Sequence, residues 1–180
     1  MPHTSEGSEL ADTVSEQMQV RADPDTIFEV IGDFATYPEW QDEVQEAEVL
    51  AIAEDGWATR VRFVLDAKIF TTTFVLDYVY TDTTISWTLV QSDTLRRNDG
   101  SYTLADHGDG TTDVTYTLVI EPTVPVPGML RRRAAKRIVE GALINVKARA
   151  ERAALTATAP PTPSREDPGE RDRRRHPQAR

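Results

Sequence analysis

The sequence predicts an α+β fold: one curved, seven-stranded antiparallel sheet, two short helices after the first strand, and one long C-terminal helix. Three observations predict it. Six segments of alternating apolar and polar residues follow one another in the middle of the chain, which is typical of half-buried strands. Asp-Gly pairs at 55–56, 99–100 and 109–110 favour tight hairpin turns. Apolar residues then recur every three to four positions from Met129 to about Ala154, which indicates an amphipathic helix.

The predicted first strand, 14–22, is followed by the first short helix. Asp23 and Pro24 are typical of an N-cap and a first helical position. The spacing of the apolar residues over 24–31 gives this helix one buried face. Gly32 is expected to end it, because glycine readily adopts the conformation that follows a helix.

A second short helix is expected to begin at Asp33. Pro38 restricts or ends it in this prediction, since the residue before a proline is biased away from helical backbone angles. The remaining strands are predicted from their alternation and from their content of β-branched and aromatic residues. They cover 44–54, 57–67, 69–80, 84–91, 101–106 and 111–121.

The 180 residues fit one domain with tails. The domain is expected to span 14–154. The segments 1–13 and 155–180 are expected to be disordered, because they have little apolar surface to bury; the second is rich in proline and arginine. A long helix laid across a strongly bent sheet contacts the ends of the sheet more closely than its middle, so the architecture favours a cavity between them.

Composition excludes several functional classes. The chain has no cysteine, so disulfides, thiol nucleophiles and thiolate metal sites are excluded. The net charge is −10, and residues 1–130 alone carry a balance of −18, which argues against binding of nucleic acid by the body of the protein. The N-terminal residues are polar and acidic, unlike a signal peptide, and no apolar run approaches the length of a membrane span. A cytoplasmic protein is therefore expected.

Catalytic motifs are absent from the sequence. Two of the three histidines lie in the predicted tails and His107 lies beside a predicted turn, which argues against acid–base chemistry centred on histidine. The carboxylates of 106–113 do not have the spacing of a calcium-binding loop. No catalytic residue, metal site or cofactor is predicted.

Several segments together resemble a known family. They are "ADPDTIFEVIGDFATYPEW", "ISW" at 85–87, "NDGSYTL" at 98–104, "GDGTTDVTYTLVIEP" at 108–122 and "PVPGMLRRR" at 125–133. Over about 14–153 the chain resembles the START-like (SRPBCC) superfamily with the helix-grip fold, in its bacterial polyketide cyclase/dehydrase and lipid-transport branch, which includes coenzyme Q-binding proteins. The resemblance implies a cavity for a small hydrophobic ligand, with the Tyr-Pro-Glu-Trp segment near its mouth.

The strand alternation places large apolar and aromatic side chains on one face of the sheet. The long helix is expected to cover them with the stripe Leu130, Ala134, Ile138, Ala142 and Val146, flanked by Val139 and Leu143. For any single residue, packing in the core is the better explanation, whereas the set as a whole, on this fold, favours a cavity. Tyrosine and asparagine side chains are the polar groups that could orient a ligand. The candidate ligand-binding residues are Phe63, Phe74, Tyr78, Trp87, Tyr102, Tyr116, Leu118, Ile138, Ala142 and Asn145.

Basic residues cluster in the first turns of the long helix. Attraction to the protein's own acidic surface is the favoured explanation, and weak docking to an anionic membrane or an acidic carrier protein is the alternative. The cluster consists of Arg131, Arg132, Arg133, Lys136 and Arg137.

Three functions remain open at this point. The leading hypothesis is a protein that binds a small hydrophobic ligand, such as a lipid, an isoprenoid quinone or a polyketide. The second is an enzyme, a polyketide cyclase, aromatase or dehydratase. The third is a non-catalytic interaction module with a filled core.

Overall fold

The computed structural model describes residues 13–66 and 71–158. Its strands are β1 (Thr13–Val20), β2 (Val44–Ile52), β3 (Ala58–Asp66), β4 (Thr71–Tyr80), β5 (Thr84–Ser92), β6 (Leu95–Asp106) and β7 (Thr112–Pro122). They form one curved antiparallel sheet in the order β1-β7-β6-β5-β4-β3-β2. Because β1 pairs with the last strand, β1 and β2 lie at opposite edges, and the short helices connect the two edges.

Helix α1 (Pro24–Gly32) begins and ends as predicted. The Asp23 Oδ1 atom accepts a hydrogen bond from the Thr26 backbone N–H at 2.8 Å, which satisfies a donor that the first helical turn leaves free. Its apolar face is buried against the domain. Gly32 is the last helical residue, but it has no positive φ, and the residue after the helix is Asp33 with φ of −84°. The N-terminal signal of α1 is therefore confirmed, whereas the conformation expected of Gly32 is not observed.

The second helix differs from the prediction. A 3-10 helix (Phe34–Thr36) comes first, and helix α2 (Tyr37–Trp40) follows it directly. Asp33 makes no side-chain cap. Pro38 lies in the first turn of α2 rather than at its end. A proline at that position lacks only an N–H group that has no partner within the helix, so it starts the turn instead of stopping it.

Helix α3 (Gly128–Thr158) packs on β1, β7 and α1. The predicted buried stripe is wrong for its first half, since Leu130 is 57% and Ile138 37% exposed. Residues four apart on a helix advance by about 400°, so a stripe at that spacing drifts by about 40° per step and winds around the helix. Of the predicted stripe, Val146 is buried. The face on the sheet is formed by Ala135, Val139, Leu143, Val146 and Ala150.

The Asp-Gly pair at 99–100 is not a turn. It lies inside β6, and the chain reverses between Ser92 and Leu95 instead. A Cβ atom on Gly100 would come within 2.4 Å of the Trp87 ring, so this glycine allows a tryptophan to lie on the backbone. The other two Asp-Gly pairs do form hairpin turns, with φ of 91° at Gly56 and 84° at Gly110.

The predicted bounds of the domain, 14 and 154, stay predictions. Thr13 belongs to β1, and α3 continues past residue 154 to Thr158. The other residues of the segments predicted to be disordered lie outside the described residues. Among the described helices, none has a segment long and apolar enough to cross a bilayer.

Candidate functional site

The inner face of the sheet is lined by aromatic side chains from neighbouring strands. Tyr78 on β4 is paired with Trp87 on β5, and Trp87 is paired with Gly100 on β6. Tyr102 on β6 is paired with Tyr116 on β7. Because residues opposite one another in adjacent strands point to the same face, these four rings lie side by side. All four are buried.

The rings contact one another directly. The centroids of Tyr102 and Tyr116 lie 4.4 Å apart, and those of Trp87 and Tyr116 lie 5.5 Å apart. Trp87 and Tyr78 are 6.1 Å apart. The row continues to Phe34, whose ring centroid is 4.6 Å from that of Tyr78. The four sheet rings and Phe34 therefore form one continuous aromatic surface.

Two residues of the connection between β1 and β2 belong to this surface and were not predicted to do so. Phe34 is 1% exposed and contacts Phe63 at 6.0 Å between centroids. Tyr37 contacts Phe63 at the same distance. Both residues lie in the segment that carries the family resemblance, so that resemblance could have indicated their place beside the sheet. Phe63 in turn contacts Phe74 at 5.6 Å.

The five tyrosines of the chain fall into two groups by hydrogen bonding. The Tyr37 hydroxyl donates to the Ile31 carbonyl at 2.7 Å, and the Tyr80 hydroxyl donates to the Ala58 carbonyl at 2.7 Å. The hydroxyls of Tyr78, Tyr102 and Tyr116, here called the interior tyrosines, have no hydrogen-bond partner among the described residues. Buried hydroxyls are normally bonded, so three unbonded ones in one place require an explanation.

The interior tyrosine hydroxyls converge. None of the three is fully enclosed by protein atoms, since the fully enclosed side-chain atoms without a partner do not include them. Each also lies close enough to another tyrosine for their charges to interact when ionised: Tyr116 raises the pKa of both Tyr78 and Tyr102. The three hydroxyls therefore lie near one another, and each keeps some contact with solvent.

Burial raises the pKa of all three interior tyrosines, because the phenolate would lose its hydration in an apolar setting. Burial likewise raises the pKa of Tyr37. At neutral pH each phenol keeps its proton. The interior tyrosines are therefore neutral groups that can donate a hydrogen bond to a ligand.

No charged residue is fully buried in the described part of the chain. Among the described residues, the buried polar side chains are Thr72, Asn98 and Thr112, and none of them is ionisable. The Trp87 Nε1–H donates to Asn98 Oδ1 at 3.3 Å. A ligand at this place would meet aromatic carbon and phenol hydroxyls.

The helix contributes less to the site than predicted. Ile138 is exposed, so it does not line the inner surface. Ala142 is half-buried and packs against the core. The Asn145 side-chain amide donates to Gln41 Oε1 at 3.0 Å, which ties α3 to the segment after α2. Leu118 is 2% exposed and is part of the core on β7.

Two clefts open at the surface on either side of Trp57. The first, of about 350 Å³, is bordered by Phe28, Trp57 and Tyr80. The second, of about 530 Å³, lies between the 3-10 helix and the β2–β3 hairpin. Phe34 borders the second cleft and also contacts Tyr78, so its ring separates that cleft from the interior tyrosines.

Metal binding finds no support in the described part of the chain. Within residues 13–66 and 71–158, no three histidine, aspartate or glutamate side chains are grouped so that they could hold a metal ion. The His107 Nε2 atom lies 3.1 Å from Asp113 Oδ2 beside the β6–β7 turn, outside the aromatic surface.

The sequence of the chain matches one family over most of its length. Residues 11–151 match the family described as polyketide cyclase / dehydrase and lipid transport. The chain belongs to this family. No protein with curated annotation is significantly similar to it.

Solved structures share the fold. A START superfamily protein from Mycobacterium smegmatis is 25% identical, with a TM-score of 0.73, over 78% of this chain and 98% of that one. The Zhui aromatase/cyclase from Streptomyces sp. R1128 is 16% identical, with a TM-score of 0.69, over 82% and 98%. A protein from Thermus thermophilus is 21% identical, with a TM-score of 0.66, over 82% and 100%. The chain therefore has the START-like helix-grip fold, which is consistent with binding of a hydrophobic ligand.

Proposed function

We propose that the protein binds a small, neutral, mainly apolar ligand between the inner face of the sheet and α3. One observation carries the proposal: three neighbouring tyrosine hydroxyls lack partners among the described residues, and none of them is fully enclosed by protein atoms. Leaving buried polar groups unbonded is unfavourable, so a ligand that accepts their hydrogen bonds would gain affinity.

The chemistry of the site favours one class of ligand. Phenols that keep their protons are donors, so the ligand should carry an acceptor such as a ketone, quinone or ester oxygen. None of the fully buried residues in the described part of the chain is a cation that could balance a carboxylate or phosphate; the enclosed Nε atom of Arg131 belongs to a half-buried side chain at the start of α3. The aromatic rings provide flat apolar contacts for the rest of the molecule.

The site supports binding more directly than catalysis. The interior tyrosines have raised pKa values, and therefore none is a ready base at neutral pH. The similarity to an aromatase/cyclase keeps cyclisation of a polyketide as the alternative activity. The proposed setting is the cytoplasm, in keeping with a cysteine-free chain in which no described helix could span a membrane.

Native mass spectrometry of the freshly purified full-length protein tests the proposal. We expect an added mass that disappears after extraction with organic solvent, and restored binding when a neutral aryl ketone is supplied. The matching aryl carboxylate is the control and should bind much more weakly, since its charge has no partner. A protein that carries no added mass and binds neither compound has a filled core. A poly-β-ketone chain, supplied in a separate incubation, that is recovered with a new ring and one water molecule fewer would establish the cyclase alternative.

A further inference from the structure

The N-terminal half of α3 has a charge opposite to that of the rest of the domain. Residues 128–146 contain five basic residues and one acidic residue, Glu140. Residues 1–130 contain 24 acidic and 6 basic residues. Such a separation of charge orients the protein in the field of a charged partner.

Internal ion pairs engage little of this basic cluster. The Lys136 Nζ atom lies 3.2 Å from Glu16 Oε1 on β1 and 3.7 Å from Glu140 Oε1. Arg132, Arg133 and Arg137 are exposed and form no ion pair with any residue of the described part of the chain. The expected attraction to the protein's own acidic surface is therefore seen at Lys136 and not at these three arginines.

The same arginines are locally unfavourable for the helix. Arg132 lies four residues before Lys136, and Arg133 four before Arg137, which places like charges side by side. The cluster also occupies the first turns of α3, where the helix dipole disfavours positive charge. These unfavourable charge interactions of the three arginines are not offset by ion pairs within the described part of the domain, which points to a partner outside it.

Large aliphatic side chains are exposed at the same end. Met129 is 85%, Val124 64% and Leu130 57% exposed. Successive helical residues are about 100° apart, so Leu130, Arg133 and Arg137 share one face of α3. We call Val124, Met129, Leu130, Arg132, Arg133 and Arg137 the basic tip. Aliphatic and basic side chains side by side are the composition of surfaces that bind at a lipid–water interface.

We propose that the basic tip docks the protein on the surface of an anionic lipid bilayer. The guanidinium groups contact lipid phosphates and the three aliphatic side chains enter the headgroup region. The acidic remainder of the domain is repelled and stays away from the surface, which fixes the orientation. Nucleic acid fits less well, because it offers nothing to exposed methionine, leucine and valine side chains. This inference does not depend on the proposed ligand, because docking is measured without one.

Cosedimentation of the full-length protein with vesicles at low salt tests the inference. We expect binding to vesicles of phosphatidylglycerol mixed with phosphatidylcholine and not to pure phosphatidylcholine. Each basic residue near such a surface strengthens binding by about fivefold, so Arg133→Glu with Arg137→Glu should weaken it by ~30-fold or more. The control, Arg21→Glu with Arg152→Glu, changes the net charge equally at exposed positions beside the C-terminal half of α3, away from the tip, and should retain binding. The C-terminal residues are present in every variant and contribute equally.

The contribution of the aliphatic side chains to vesicle binding is tested with a separate variant and a matched control. Met129→Gln with Leu130→Gln should weaken binding to anionic vesicles, whereas Val79→Gln with Leu155→Gln, which also replaces exposed aliphatic residues, should not. Circular dichroism checks folding, and Arg133→Gln with Arg137→Gln replaces any reversal variant that fails to fold. Wild-type protein that ignores anionic vesicles at low salt would overturn the inference. So would equal loss in the Arg21/Arg152 control, or salt-sensitive self-association through the tip in place of vesicle binding.

Discussion

In two aromatic regions of this protein a tryptophan ring packs against a glycine, but the neighbouring tyrosine hydroxyls differ in whether they have a hydrogen-bond partner. Trp57 lies on Gly32 at the end of α1, beside Tyr80, whose hydroxyl donates to a backbone carbonyl. Trp87 lies on Gly100 in the middle of the sheet, among the interior tyrosines, whose hydroxyls have no partner in the described structure. In the first region the tyrosine hydroxyl is already hydrogen-bonded to the protein. The second has unused hydrogen-bonding capacity in the place where a ligand would be enclosed.

Under the proposed function, the difference separates tyrosines that hold the fold together from tyrosines that would bind the ligand. Hydrogen bonds of Tyr37 and Tyr80 to the main chain hold the short helices and the β2–β3 hairpin in position. A buried phenol without a partner does nothing comparable for the fold, and a phenylalanine would pack as well. The contrast between the bonded and the unbonded tyrosines can be tested by changing the pH and by substitution in each region.

High pH should act on both regions alike and produce the largest effect. Burial raises the pKa of the interior tyrosines, and burial with the nearby Asp55 charge raises the pKa of Tyr80 to about 12. A raised pKa means that the native state keeps protons which the unfolded chain loses, so this stability is complete below pH 10 and is lost as the pH rises above it.

Each such tyrosine then lowers the free energy of unfolding by about 1.4 kcal/mol per pH unit. Replacing all three interior tyrosines by phenylalanine should flatten the slope by about 4 kcal/mol per unit. Urea unfolding at several pH values between 9 and 11 measures this slope, which is the change in unfolding free energy per pH unit. A slope that is the same in the triple variant would show that these phenols ionise as freely in the native protein as in water.

The two glycines should differ in how much an added methyl group destabilises the fold. A Cβ on Gly100 would lie 2.4 Å from the Trp87 ring and 2.6 Å from the Thr117 carbonyl oxygen, both fixed inside the sheet. Gly100→Ala should therefore lower the unfolding free energy by about 3 kcal/mol. In Gly32→Ala the clash is with the half-buried Trp57 ring, which can move outward, so a loss of about 1 kcal/mol is expected. Equal losses measured by urea titration would contradict the contrast.

Removing a bonded hydroxyl should destabilise the protein measurably. Tyr80→Phe leaves the Ala58 carbonyl without its donor, and Tyr37→Phe does the same to the Ile31 carbonyl. Each change should lower the unfolding free energy by about 1 kcal/mol at pH 7. Ligand affinity should be unaffected, and the aryl ketone titration provides that control.

Removing an unbonded hydroxyl should leave stability unchanged and weaken binding. Tyr116→Phe, Tyr102→Phe and Tyr78→Phe break no hydrogen bond within the described protein, so their unfolding free energies should stay within about 0.5 kcal/mol of wild type. Affinity for the aryl ketone should fall by about five- to tenfold for the hydroxyls that contact it. A variant that loses stability but binds normally would place that tyrosine in the structural group.

The sequence was sufficient to predict the fold and the lining of the inner face, because both follow from local patterns. Strict alternation placed Phe63, Phe74 and Tyr78 correctly, and the Asp-Pro signal placed the start of α1. The family match and the structural neighbours confirm the helix-grip fold.

The errors arose where a local pattern has two physical explanations. Asp99-Gly100 has the composition of a turn, but the glycine is needed because Trp87 comes from a neighbouring strand, and single-sequence spacing does not reveal that partner. On α3, Leu130 and Ile138 fit the apolar pattern of the sequence, but they are exposed and do not pack on the sheet. Which hydroxyls are bonded also depends on chain segments far apart in sequence, such as Tyr80 and Ala58.

The most direct test of the central claim is NMR of the tyrosine ring carbons that bear the hydroxyl groups, in protein with labelled tyrosine, before and after the aryl ketone is added. All five tyrosines are observable in one spectrum, and the single phenylalanine variants assign the signals. The account predicts that signals of the interior tyrosines shift while those of Tyr37 and Tyr80 stay in place, because the latter are already bonded to the main chain. Binding that shifts Tyr37 or Tyr80 and leaves the interior tyrosines unchanged would contradict it.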